Sequence, residues 1–160
     1  RSEYYVGSVV HAYRCAMDAY AQNPDNFNPA PFMAELNRLE TRGYTTAFFD
    51  GPAGADAHNY ETTRTTSDWH AEGVIVSATG DKIILELRNE IKSGDAITFI
   101  LPGRTDGLTI TLPRVINAKT GETQPKMSAG QNNSLVIPRD WFGANDTDAL
   151  SPCILAYKHK

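Results

Sequence analysis

The chain has 160 residues, of which 41% are hydrophobic and 21% charged, values close to the average of folded globular proteins. This composition excludes a disordered, collagen-like or coiled-coil chain, and the length fits one domain of ordinary size or a small domain with an appendage. The formal net charge of −4 argues against a strongly electrostatic nucleic-acid binder, and no apolar run reaches the roughly 18 residues of a membrane helix.

The first predicted element is a helix that begins at Ser2, whose side chain can cap it, and ends at Asn23. One apolar stripe recurs at spacings of four, three, four and three residues: Val6, Val10, Tyr13, Met17 and Tyr20. A second stripe runs beside it: Tyr5, Val9, Ala12 and Ala16. Because the apolar arc is so wide, we expect two neighbours to cover this helix.

A second helix is predicted to begin at Asn28 and Pro29, since Asn caps a helix and Pro suits its first turn. The pattern places Arg42 in its last turn and ends it at Gly43. Its inward side chains are expected to be Phe32, Leu36 and Leu39.

Residues 51–70 are polar and have no periodic apolar pattern, as is typical of a linker or a functional loop. We interpret them as a boundary. The predicted organisation is a helical connector and a first strand in residues 1–50, a polar loop in 51–70, and a β-barrel domain in 71–160.

From Gly73 onward the apolar period becomes two, with turn signals about every ten residues. Short strands are predicted at Val74–Val76, Lys82–Arg88, Ile97–Leu101, Leu108–Leu112, Val115–Ile116, Leu135–Ile137 and Ile154–Leu155. The fold class is therefore α+β, a helical pair followed by a small antiparallel barrel of about six strands.

His11 and Cys15 lie four residues apart on the first helix, but with no further ligand nearby we expect them to pack rather than bind metal. Cys15 and Cys153 are too far apart for a zinc ribbon or a redox pair. We expect both cysteines to be buried free thiols, as is usual for proteins in the reducing cytosol, and this predicts a cytoplasmic location. The sequence has no serine-hydrolase elbow, HExxH or Walker motif, so no catalytic residue, metal or cofactor is predicted in this segment.

The stretch from Arg42 to Phe49 combines one cation, two threonines and three aromatic rings, and Asn59 and Tyr60 follow. Aromatic rings beside a cation can stack a base or hold a partner's side chain. The same residues would also suit an edge strand that closes one end of the barrel.

Three blocks of the sequence resemble peptidase family U32, the collagenase-like peptidases. The first is Tyr4-Tyr5-Val6-x-x-Val9-Val10-x-Ala12-Tyr13-Arg14-x-Ala16-x-Asp18. The second is Arg42-x-Tyr44-Thr45-Thr46-x-Phe48 followed by Asn59-Tyr60, with Ala47 where the family usually has glycine. The third is Arg88-Asn89-x-x-x-x-Gly94-Asp95, which resembles part of the family's C-terminal barrel.

The resemblance implies that this chain is the C-terminal part of a longer protein. The family's N-terminal catalytic domain, with its cluster of cysteines, would then be the main partner, and the first helix would dock on it. Family members have been called proteases, and relatives are implicated in hydroxylating tRNA, ribosomal RNA or a quinone precursor. Those activities would belong to the absent domain or to the whole protein, and the resemblance leaves the cofactor of the parent protein unknown.

The favoured hypothesis is a non-catalytic accessory module that positions a substrate, above all RNA, for the catalytic domain. Its candidate phosphate contacts are Arg38, Arg42 and Arg64, its candidate stacking platforms Tyr44, Phe48 and Tyr60, and its further candidate contacts Thr45, Thr46 and Asn59. One alternative is a module that holds a polypeptide for a true protease by strand addition. Another is a structural or self-association domain, and no membrane partner is expected.

Overall fold

The structure is a computed structural model. It describes residues 2–41, 44–46, 48–49, 51–52, 54–55, 67–130, 133–143 and 147–159. Two helices precede a mainly antiparallel β part, which confirms the predicted α+β class.

Helix α1 spans Glu3–Gln22, as predicted from its end signals. The Oγ of Ser2 accepts a hydrogen bond from the Tyr5 amide at 3.2 Å, so it caps the first turn. At the other end, the amide of Asn23 donates to the Ala19 carbonyl at 3.1 Å before a 3-10 turn over Pro24–Asn26.

Helix α2 spans Ala30–Asn37, so the predicted extension to Arg42 and Gly43 is wrong. The start is as expected, because Asn28 Oδ1 accepts from the Ala30 amide at 3.0 Å. The end comes early because the amides of Arg38 and Leu39 bond to carbonyls three residues back, which tightens the last turn. Arg42 and Gly43 themselves lie outside the described residues.

The β part contains ten described strands and a further 3-10 turn. The strands are β1 Trp69–Thr79, β2 Lys82–Leu87, β3 Ile91–Lys92, β4 Ala96–Phe99, β5 Leu108–Thr111, β6 Val115–Asn117, β7 Thr123–Gln124, β8 Lys126–Met127, β9 Ser134–Pro138 and β10 Leu155–His159. The 3-10 turn, Arg139–Phe142, follows β9.

Eight of these strands form one antiparallel sheet in the order β5-β4-β10-β1-β2-β9-β6-β7, and β3 pairs with β8. The prediction of about six strands is therefore too low. The strands β3, β7 and β8 have only two residues each, too few to show a period of two. Among the described residues β5 and β7 are the sheet's two edges, so the sheet is curled rather than closed into a barrel by hydrogen bonds.

The main core fills the concave side of the curled sheet. The predicted inward residues are buried there, each with at most 2% of its surface exposed: Ile83, Leu85, Leu87, Ile97, Phe99 and Leu101. Phe142, from the 3-10 turn, lies against Phe99 with ring centroids 5.7 Å apart.

A second, smaller cluster joins the two helices. It consists of Ala12, Leu36 and Leu39, with Tyr4, Tyr5 and Val9 packed against it. Tyr5, Val9 and Ala12 belong to the predicted second stripe of α1, and Leu36 and Leu39 are predicted inward residues of the second helix, whereas Tyr4 belongs to neither set. The first stripe of α1 is exposed.

Both cysteines are free thiols, but only Cys15 is buried as expected. Cys153 is exposed because it occupies a turn, with a φ of 73°, just before β10. Among the described helices, none has the length and apolar character that crossing a membrane requires. Strand β1 begins at Trp69, two residues before the predicted boundary of the β domain.

Candidate substrate-binding cleft

A cleft of about 420 Å³ opens where the start of α1, the end of α2 and the start of β1 meet. Its lining combines aromatic rings with polar side chains: Ser2, Tyr4, Tyr5, Arg38, Leu39, Glu40, Trp69, His70, Ala71 and Asn89. A volume of this size is within the range that holds a small ligand or one unit of a polymer.

Arg38 joins the helices to the sheet at one side of this cleft. Its guanidinium carbon lies 5.2 Å from the centroid of the Trp69 ring and 4.7 Å from that of Tyr157. The Oγ of Ser67 donates to the Arg38 carbonyl at 2.7 Å and accepts from the Trp69 amide at 3.0 Å. The backbone and the side chain of Arg38 are therefore both tied to the start of β1.

The charge of Arg38 is balanced by Glu35, whose carboxylate it contacts directly. Glu35 is 5% exposed, and burial raises its pKa while the neighbouring guanidinium lowers it. Burial also raises the pKa of Tyr157 to about 12 and that of Tyr4 above its usual range, so both phenols stay neutral. The cleft therefore offers aromatic surface and hydrogen-bonding groups rather than a strong positive charge.

The first and third sequence blocks meet at this cleft. Arg88 forms an ion pair with Glu3 at the start of α1 and another with Glu86 on β2 at 2.9 Å. The side-chain amide of Asn89 donates to the Ala71 carbonyl at 2.7 Å and so holds Asn89 at the cleft wall. Tyr4 and Asn89, which are 85 positions apart in the chain, thus line the same cleft.

Tyr44, from the second block, lies against the helices beside the cleft. Its hydroxyl donates to the Leu36 carbonyl at 2.8 Å, while 41% of the side chain remains exposed. Burial raises its pKa, with smaller contributions from Tyr5 and Tyr13, which places its ring near α1. This ring is anchored at its hydroxyl and accessible elsewhere, as a stacking platform must be.

The remaining predicted contacts are distributed as follows. Thr45, Thr46 and Phe48 are exposed, Phe48 by 77%. Arg38 is in the cleft wall, but its pairing with Glu35 weakens the case for a phosphate contact there. Arg42, Asn59, Tyr60 and Arg64 lie outside the described residues, and their roles stay predictions.

Of the ten residues that line the cleft, only Arg38 was a predicted contact; four of the others offer an aromatic ring or a side-chain amide, namely Tyr4, Tyr5, Trp69 and Asn89. Tyr4, Tyr5 and Asn89 are part of the blocks that carry the family resemblance, so the signal was present in the sequence. Trp69 had no such signal, because its place in the site depends on the tertiary contact with Arg38.

Residues 1–59 match the model of peptidase family U32. Over these residues the chain is similar to that family. The match includes both helices and ends before β1, so the family resemblance found in the sequence is confirmed for the helical part.

A relative from Bacillus subtilis (strain 168), called tRNA hydroxylation protein P1, is 30% identical over 105 residues. The aligned part is 64% of this chain and 25% of that protein, so the chain spans about a quarter of the relative's length.

Two solved structures of the C-terminal domain of a Geobacillus thermoleovorans U32 peptidase are also similar. The first has 13% identity and a TM-score of 0.44, covering 56% of this chain and 92% of that domain. The second, its selenomethionine variant, has 13% identity and a TM-score of 0.43, covering 57% and 99%.

Proposed function

We propose that this chain is a non-catalytic accessory part of a longer U32-type protein and positions RNA for a neighbouring catalytic domain. The observation that carries this proposal is the similarity, over 105 residues, to a protein named for tRNA hydroxylation. In this view the chain contributes binding surface, and the reaction belongs to the rest of the longer protein.

The cleft supports RNA as the substrate through its stacking surface. Tyr5 and Trp69 line it, and the partly exposed ring of Tyr44 lies beside it. Aromatic rings bind unstacked bases with little dependence on sequence, each stacked base contributing about 1–3 kcal/mol. Because the net charge is −4 and Arg38 is already paired, we expect stacking to contribute more than phosphate contacts do.

RNA binding by the longer protein that carries this chain tests the proposal. Tyr44→Ala should weaken tRNA binding about fivefold or more, whereas Tyr44→Phe keeps the ring and should retain most of the affinity. Arg42→Ala should weaken binding and reduce its salt dependence, because it removes one phosphate contact. Arg14→Ala is the matched control, since Arg14 is exposed and paired with Asp18 at 2.9 Å on another face of α1.

Absence of binding to any RNA by the intact protein would refute the proposal. Equal affinities of the Tyr44→Ala and wild-type proteins would refute the assigned binding surface. The affinities of the wild-type protein and of each variant are measured at two salt concentrations, so that electrostatic and stacking contributions are separated.

A second candidate is a module that holds a polypeptide for proteolysis, and the open edges of the sheet favour it. Strands β5 and β7 end the sheet among the described residues, and an extended peptide could pair with such an edge. Proteolysis by the purified longer protein that is lost when this region is deleted would favour this candidate over RNA positioning.

A further inference from the structure

One buried carboxyl group adjoins the wall of the cleft. Glu72 follows Ala71 in β1, and on this side the cleft is lined by His70, Ala71 and Asn89. None of the Glu72 surface is exposed, and neither of its carboxylate oxygens has a hydrogen-bond partner among the described residues. A carboxyl group in such a place is more stable neutral than ionised, because burial removes the water that would solvate its charge.

The backbone of Glu72 is bonded to the segment that forms this wall. Its carbonyl accepts a hydrogen bond from the Arg88 amide at 2.7 Å, and the neighbouring Ala71 carbonyl accepts one from the side-chain amide of Asn89, also at 2.7 Å. The strand is irregular here, because a bulge lies between Ala71 and Gly73. A shift of Glu72 would therefore be transmitted to Asn89 in the cleft.

A cation lies near Glu72, but it is bonded to other groups. The Nζ of Lys158, on β10, is 3.9 Å from Glu72 Oε1, whereas it donates to Asp95 Oδ2 at 2.7 Å and to the Glu90 carbonyl at 3.0 Å. Glu90 and Asp95 lie on either side of β3, in the connection that leads on from the cleft wall. Lys158 therefore attaches this connection to β10.

The other charged side chains of the surrounding elements form ion pairs of their own. These pairs are Arg88 with Glu3 and Glu86, and Glu90 with Lys126 and Lys92. Lys158 is therefore the cation that an ionised Glu72 can reach. Burial raises the pKa of Glu72 to about 7, while Lys158 opposes this effect and Asp95 adds to it, so both forms of the side chain are populated near neutral pH.

We propose that protonation of Glu72 regulates the cleft, which binds RNA while this side chain is neutral and whose wall loosens when the side chain ionises. On ionisation the proton passes to water, and the ammonium of Lys158 moves to the new carboxylate and gives up its hydrogen bonds to Asp95 and the Glu90 carbonyl. The connection that follows Asn89 then loses its attachment to β10. This inference rests on the proposed function, since RNA is the ligand whose affinity changes.

The size of the effect follows from the fraction of the protein in which Glu72 is neutral. With a pKa of about 7, this fraction falls from about nine-tenths at pH 6 to about one-tenth at pH 8. Because the apparent affinity is proportional to the binding-competent fraction, RNA affinity should fall about tenfold between these two pH values. Glu72→Gln resembles the neutral acid in shape, so its affinity at pH 8 should match that of wild type at pH 6.

The affinity of the longer protein for tRNA is measured at pH 6 and pH 8 at one salt concentration. Histidine side chains titrate in the same range and His70 lines the cleft, so His70→Asn removes this second source of pH dependence. The His70→Asn protein should keep most of the difference between the two pH values, and adding Glu72→Gln should abolish it. Glu122→Gln, a change at an exposed glutamate, is the matched control and should behave as wild type.

Hydrogen exchange followed by mass spectrometry measures the loosening of the wall without RNA. After correction for the effect of pH on chemical exchange, the amides of residues 88–95 should be less protected at pH 8 than at pH 6 in wild type. In Glu72→Gln they should be equally protected at both pH values. The amides of β9 serve as the internal reference, since their protection should not depend on Glu72.

The two measurements separate this inference from the proposed function. Protection of residues 88–95 that does not change with pH, or that changes equally in Glu72→Gln, would overturn the inference. RNA affinity that is the same at pH 6 and pH 8 would overturn it as well. Loss of protection in a protein that binds no RNA at either pH would refute the RNA proposal and support the loosening of the wall.

Discussion

Glu72 is a buried carboxyl group with little to stabilise its charge. It lies at the bulge of β1 between Ala71 and Gly73, and none of its surface is exposed. Its Oε1 is 3.9 Å from the Nζ of Lys158, but that ammonium donates to Asp95 Oδ2 at 2.7 Å. Neither carboxylate oxygen has a hydrogen-bond partner among the described residues. Burial raises the pKa of Glu72 to about 7, against the opposing effect of Lys158.

This raised pKa predicts a pH-dependent stability. Between about pH 4.5, the ordinary value, and about pH 7, the folded protein holds a proton on Glu72 that the unfolded chain releases. The free energy of unfolding should therefore fall as the pH rises through this window, by up to roughly 3 kcal/mol. Glu72→Gln should remove this fall, so its stability relative to wild type should increase from pH 5 to pH 8.

Denaturant unfolding at several pH values measures this effect. Glu122→Gln, a change at an exposed glutamate, is the matched control and should give a profile parallel to that of wild type. A parallel profile for Glu72→Gln as well would mean that Glu72 does not titrate differently in the folded chain.

At the scale of single elements, β1 is the longest described strand, with 11 residues, and it pairs with both β10 and β2. Gly73 lies at its first bulge, where an added Cβ would be 2.2 Å from the Glu86 carbonyl oxygen. Gly73→Ala should therefore lower the free energy of unfolding by about 1–3 kcal/mol or more, since the strands must separate to admit it.

Gly7→Ala is the contrasting variant for this prediction. Its Cβ would meet only the end of the Leu155 side chain, at 2.6 Å, and alanine favours the helix by up to about 1 kcal/mol. We expect a much smaller loss of stability than for Gly73→Ala, measured by denaturant unfolding. Equal losses would show that the backbone contact at Gly73 is not the cause.

The elements show which features the sequence can predict. Both ends of α1 follow from local signals, because Ser2 and Asn23 act through their own turns. The end of α2 does not, because the amides of Arg38 and Leu39 bond to carbonyls three residues back, and no capping residue in the sequence marks this tighter turn. Two-residue strands such as β3 were missed because pairing alone defines them.

The sequence predicts residues of the candidate site only where they lie close together along the chain. Tyr44 was selected as a candidate because the aromatic residues of its block lie close together in sequence, and its binding role stays a prediction. The burial of Glu72 could not be anticipated, since a bulge shifts which side chains point inward and no local pattern marks it.

At the scale of the whole molecule, Arg38 connects the small helical cluster to the sheet. Removing it would leave Glu35, 5% exposed, without its cation and would remove the stacking on Trp69 and Tyr157. Arg38→Ala should therefore cost about 3–5 kcal/mol and affect the helices most. Native-state hydrogen exchange should become faster for the amides of α1 and α2 than for those of β2.

Arg14→Ala serves as the control here, because an exposed ion pair contributes at most about 1 kcal/mol. If Arg38→Ala accelerated exchange equally in the helices and in β2, the helices and the sheet would unfold as one unit, and the connecting role of Arg38 would be wrong.

An open sheet edge can pair with strands of other molecules, and the two edges of this sheet have features that limit such pairing. Strand β7 has only two residues and is followed by Pro125, and β5 is followed two residues later by Pro113. Both prolines lack an amide hydrogen, so neither edge can be extended into a longer hydrogen-bonded ladder at that point. Extended edge-to-edge aggregation is thereby discouraged, while the four residues of β5 still leave room for a short peptide to pair with this edge.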